Sequence, residues 1–167
     1  EHYYEIHAGI GVHKNPKLYG AFPTDPYSHT PMHKGAQQPG MTGQVKEDLL
    51  SRYGELGIEI ENGQLKFYPA LLKKSEFLSA PKSVSFVDIN REKRSIELKN
   101  GQLFFTYCQV PVIYEIADKS HIEITFSNNN VFNVNSLSLG KSESSAIFGR
   151  KDEIRSIKVF VDKNILK

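Results

Sequence analysis

Two histidines four residues apart, His29 and His33 in "HTPMH", are the first residues whose spacing could do chemistry. On a helix this spacing sets two imidazoles on one face, as zinc sites require. Pro31 lies between them and opposes a regular helix, and the glutamate of a zinc protease motif is missing. The pair is therefore read as hydrogen-bonding groups, and no metal or other cofactor is expected. Asp25 and Glu47 could supply the two carboxyl groups of glycoside hydrolysis, which must stand about 5 to 10 Å apart. Sequence separation does not fix that distance, and Glu47 falls on the polar face of a helix in any case. It is kept as the candidate catalytic carboxylate. The stretch "GAFPTDPYSHTPMHKGAQQ" has the makings of a polyol site, with aromatic rings for sugar C–H faces and Asp, His and Gln for hydroxyls. Asp25, Tyr27, His29, His33, Gln37 and Gln38 are the candidate sugar contacts. An ordered loop packed over a domain boundary would have the same composition, although long loops without secondary structure tend to be functional. Cys108, within "FFTYCQVPVIY", has no cationic neighbour in sequence that would activate a thiol, and reads as a small buried apolar residue.

The elements that must position these residues change character along the chain. Five histidines (His2, His7, His13, His29, His33) and five prolines (Pro16, Pro23, Pro26, Pro31, Pro39) fall before Gly40. Such a segment sustains neither a helix nor a central strand, so residues 1–40 are expected to be extended loop. From Thr42 to Tyr53 the apolar residues Val45, Leu49, Leu50 and Tyr53 recur at helical spacing, with Thr42 as a cap and Gly54 as a left-handed stop. After Gly57 the period becomes two. Asn62-Gly63 between two alternating runs predicts a tight hairpin, because both turn positions favour positive φ. Further strand-like runs follow at 83–89, 94–98, 102–108, 112–117, 121–126, 131–134 and 154–161, separated by turn residues such as Asn90-Arg91, Asn100-Gly101, Asp118-Lys119 and Asn128 to Asn130. The expected fold is mainly β: an antiparallel β-sandwich over 57–167, preceded by a loop-rich segment and one amphipathic helix over 1–56. Alternation places Leu65, Phe67, Phe86, Ile96, Leu98, Leu103, Phe105, Val112, Tyr114, Ile122, Ile124, Phe126, Ile157, Val159 and Val161 in its core.

Composition narrows the function classes. The chain has 167 residues, 39% hydrophobic and 24% charged, within the range of soluble globular domains and long enough to bury a real core. A net charge of +2 with both signs interspersed gives no basic stripe for phosphates, so nucleic acid is not an expected partner. One cysteine permits no internal disulfide, and no apolar run approaches a membrane span. A first residue of Glu rather than Met leads us to expect that the polypeptide was processed or begins further upstream.

The run "GAQQPGMTGQVKEDLLSRYGELGIEIENGQLKFYPALL" orders a small polar loop, an amphipathic helix, Leu-Gly-Ile, a glycine turn, a short strand and proline. In this order it resembles the C-terminal end of six-hairpin (α/α)6-barrel glycosidases and phosphorylases such as the cellobiose phosphorylase group. The wider run "YGAFPTDPYSHTPMHKGAQQPGMTGQ" also resembles glycosidase-like proteins of gut Bacteroidota. The likeness covers Leu18 to Leu72. It implies that the helix is the last of a barrel, that the loop from Thr24 to Gln38 faces a sugar, and that the β-sandwich caps the barrel. In the phosphorylases the matching loop helps bind phosphate through small hydroxyl residues; here it reads "HKGAQQPG", which favours hydrolysis or sugar binding over phosphorolysis. Carbohydrate is the implied ligand, the barrel portion the implied partner, and export or the periplasm the implied location. The twelve barrel helices are not in this sequence, so the chain by itself is expected to be inactive. Two other classes stay open: a freestanding carbohydrate-binding module, which should bind glycans alone, and a partner-docking domain, which should not.

Overall fold

A computed structural model of the chain describes the backbone over residues 41–167 and the side chains over residues 49–167. The chain divides into two units between Arg52 and Tyr53, and the unit from Tyr53 onward carries the β-fold. Helix α1 runs Met41–Leu56. Thr42 therefore lies inside the helix, and Gly54 does not stop it. The stop is three residues later, at Gly57, whose φ of +63° turns the chain into the first strand. Leu49 and Leu50, on this helix, are exposed.

Strands β1 (Ile58–Glu61) and β2 (Gln64–Phe67) form the expected hairpin around Asn62-Gly63, both with positive φ. A 3-10 turn at Lys74–Glu76 leads to a second antiparallel ribbon, β3 (Lys82–Val87) and β4 (Lys93–Leu98). The remaining strands are β5 (Gln102–Tyr107), β6 (Val110–Ala117), β7 (His121–Phe126), β8 (Val131–Val134) and β9 (Ile154–Asp162). They build one five-stranded sheet in the order β5-β6-β9-β7-β8. The fold is mainly β, and its pairing is antiparallel except between β6 and β9. That parallel pair is possible because the chain crosses back through helix α2 (Lys141–Phe148) before entering β9.

Period-two alternation gives the sheet one continuous apolar face. Leu103, Tyr114, Val159, Ile122 and Val134 are cross-strand partners in a single row over all five strands, and Phe105, Val112, Ile157, Ile124 and Phe132 form the next row. Tyr114, Val112, Ile122, Ile124, Ile157 and Val159 are fully buried. The β1–β2 hairpin and α2 cover this face: Phe67 meets the Tyr114 ring edge-on, and Ala146 and Ile147 join the same core. The opposite face receives the β3–β4 ribbon, where Phe86 packs on Phe104 with ring centroids 5.5 Å apart. Phe86 and Ile96 are consequently half-buried rather than central, whereas Leu98 is buried.

Two local findings differ from the sequence reading. Cys108 is not an interior strand residue. Pairing of Tyr107 with Val110 leaves Cys108 and Gln109 as a two-residue turn between β5 and β6, with φ of +48° and +67°, and Cys108 is half-buried there. Helix α2 was not expected at all, because "KSESSAIF" is serine-rich and its apolar residues come only at the end. Its Ser144 is fully buried, and the hydroxyl accepts from Leu65 N–H at 2.9 Å while donating to the Gly140 carbonyl at 2.7 Å. Ser144→Ala would orphan the Leu65 N–H, so urea denaturation is expected to show a loss of about 1 to 3 kcal/mol with unchanged secondary structure.

Candidate functional site

Where the β3–β4 ribbon meets one end of the five-stranded sheet, the surface opens into a cleft of about 470 Å³. Phe86 and Ile96 supply its apolar wall, and polar residues from three loops supply the rest. The first loop is the ribbon tip, Asp88 to Glu92. Asp88 organises it: Oδ1 accepts from the backbone N–H groups of Asn90 and Glu92, each at 2.9 Å, and Oδ2 accepts from Arg94 Nε at 2.9 Å. The Arg94 guanidinium, followed by the Glu92 and Asn90 amides, holds the Asp88 carboxyl below the usual carboxylate range. Arg94 also pairs with Glu92. Asp88 is thus a spent acceptor that shapes the tip. A general acid needs the opposite shift.

The second loop is the Cys108-Gln109 turn, from which Gln109 Nε2 donates to the Asp88 carbonyl at 3.2 Å. The third joins α2 to β9. Here Asp152 has φ of +55°, Asn90 Nδ2 donates to its Oδ2 at 3.0 Å, and the Ser127 hydroxyl donates to its carbonyl. The positive φ of Gln109 is what a two-residue hairpin turn demands, and Asp is among the residues that tolerate this conformation. Gln109 and Asp152 both line this cleft.

Arg155 completes the site through a β-bulge. Thr125 pairs with Ser156 but Phe126 pairs with Ile154, so Arg155 is the extra, unpaired residue of β9. In unbroken alternation Arg155 would share the apolar face with Ile157. The bulge instead leaves it exposed at the cleft, with Nη1 donating to Asn129 Oδ1 at 2.5 Å.

Among the described residues, Asp152 Oδ1, Asn90 Oδ1 and Gln109 Oε1 accept no hydrogen bond, and Arg155 has no carboxylate partner. A cleft offering free acceptors, a free cation and an aromatic wall can orient a ligand rich in hydroxyl groups. Its lining carboxyls are Asp88, held ionised by Arg94 and two backbone amides, and Asp152. Among the described residues there is no cluster of three metal-ligating side chains and no helix long and apolar enough to cross a membrane.

The candidate sugar contacts Asp25, Tyr27, His29, His33, Gln37 and Gln38 lie outside the described residues. Glu47 lies in α1, but its side chain also falls outside them. Sequence reasoning missed the cleft. Asn90 and Asn129 were visible as turn residues, but the contacts that join the three loops span 62 and 21 positions, and Arg155 reaches Asn129 across 26. Compared with known proteins, the chain matches no family model and no curated sequence, so its function must be read from these residues and their geometry.

Proposed function

We propose that the β-fold is a non-catalytic saccharide-binding domain that works within a carbohydrate-active enzyme of the (α/α)6-barrel type, the glycosidic chemistry belonging to the barrel portion. The observation that carries this reading is the cleft itself, where Asp152, Asn90 and Gln109 present unused acceptors beside the Phe86 ring. Hydroxyl groups donate and accept together, and sugar C–H faces pack on aromatic rings, so a saccharide uses such a lining fully. The likeness of residues 18–72 to the end of the barrel enzymes supports the same class. In that setting the loop bearing Asp25, Tyr27, His29, His33, Gln37 and Gln38 contributes further sugar contacts, Glu47 remains the candidate carboxylate, and export is the corresponding location.

Saturable binding of the chain to a subset of an oligosaccharide array is the expected result, followed by calorimetry on the best binders. Asp152→Asn keeps the size of the side chain and tolerates positive φ, yet removes the charged acceptor. It is expected to weaken binding about tenfold, the worth of one hydrogen bond to a charged group, without moving the melting temperature. Absence of binding across the array would overturn the proposal, and equal affinity of wild type and Asp152→Asn would move the site away from this cleft.

A further inference from the structure

Resting on the saccharide-binding reading, we infer that the cleft is built for an acidic sugar, a hexuronate residue whose carboxylate is taken by Arg155 and whose hydroxyls are taken by Asp152 and Asn90. The charges of the lining separate into two kinds. Asp88 is saturated by Arg94 and two backbone amides, and Arg94 is shared between Asp88 and Glu92. These charges are internally matched and form the wall. Asp152 keeps one carboxylate oxygen free, and Arg155 donates only to a neutral amide oxygen. Among the described residues of the cleft, Arg155 is the cation without an anionic partner.

The bulge strengthens this assignment. It interrupts the pairing of β9, the middle strand of the sheet, and places Arg155 at the rim of the cleft instead of on the apolar face. A guanidinium fork matches a carboxylate in a way that a hydroxyl cannot exploit. A neutral sugar would leave that fork unmatched. A phosphate or sulfate would satisfy it but bring more anionic charge, and no additional hydroxyls, close to Asp152. A uronate presents one carboxylate and several hydroxyls on a single ring, which suits one free cation and one free acceptor carboxylate in the same cleft.

The test titrates the chain with oligosaccharides containing glucuronate or galacturonate and with the neutral glucose or galactose counterparts of the same linkage, at low and high sodium chloride. Wild type is expected to favour the uronates about tenfold, with the preference shrinking as salt rises. Arg155→Gln should erase the preference by lowering affinity for the uronates about tenfold more than affinity for the neutral sugars, with the overall fold retained because the side chain is exposed. Arg155→Lys should restore part of it. Equal affinity for both sugar classes, or a preference that survives Arg155→Gln, would overturn the inference and leave the saccharide-binding reading intact. Binding of neither class would overturn both.

Discussion

Gly57→Ala is expected to be highly damaging for a one-carbon change, costing roughly 2 to 5 kcal/mol from the sum of a left-handed backbone penalty and overpacking against rigid atoms. Two observations combine at this position. The residue has φ of +63°, a conformation that an L side chain adopts only at a cost. A β-carbon there would also stand 2.0 Å from the carbonyl carbon and oxygen of Tyr68 and 2.4 Å from Pro69 N. The obstacle is backbone, which no rotamer change can clear. It is that close because Tyr68 N–H donates to the Gly57 carbonyl at 2.7 Å, closing the base of the β1–β2 hairpin. The loss would consume a large share of the roughly 5 to 15 kcal/mol that holds a domain folded. Gly54→Ala is the matched control, because a β-carbon at Gly54, inside α1, meets nothing within 4 Å. It should be neutral or stabilising by about 0.5 to 1 kcal/mol. Urea midpoints for the two variants measured side by side check the claim; similar midpoints would refute it.

Tyr114→Ala is the second large effect, expected at about 3 to 5 kcal/mol. The ring is fully buried and meets Phe67 and Phe105 edge-on, with centroids 6.1 and 5.1 Å away. Its hydroxyl donates to the carbonyl of Leu56, the last residue of α1. Burial pushes the phenol far above its ordinary pKa, so the hydroxyl remains a donor throughout the working pH range. Tyr114→Phe separates the two roles: it keeps the ring and strips the helix end of its donor. About 1 to 3 kcal/mol should be lost, the cost of an unsatisfied buried acceptor. Denaturation of both variants checks this, and a neutral Tyr114→Phe would mean that the Leu56 carbonyl finds water instead.

Much of this architecture was legible where a local signal sufficed. Asn62-Gly63 and Asn100-Gly101 mark turns because their residues accept positive φ, and both Asn62 and the two glycines do adopt it. Alternation identified Leu65, Phe67, Val112, Tyr114, Ile122, Ile124, Ile157, Val159 and Val161, all fully buried. What failed depended on distant neighbours. Gly54 and Gly57 are equivalent as letters, but only Gly57 faces the backbone of Tyr68. Cys108-Gln109 carries no turn chemistry and lies within an apolar run, so pairing of its flanks alone makes it a turn. The serine-rich α2 is helical because Ser144, Ala146 and Ile147 are buried, a tertiary reason invisible in propensity. The cleft was illegible for the same cause: its carboxylate, amides and guanidinium belong to separate loops and meet only after the ribbon docks on the sheet.

The position of β9 has a consequence for how the chain acquires its structure. Of the five strands of this sheet, the last in chain order is the one in the middle, inserted between the β5–β6 and β7–β8 hairpins. During synthesis, which proceeds from the other end, both hairpins can form early, but their native places lie on either side of a strand not yet made. Each waits with an unpaired inner edge and half of the apolar face uncovered, the kind of surface that captures other chains. Nascent protein interrupted before Ile154 would therefore be sticky, and the native sheet can close only when residues 154–162 arrive.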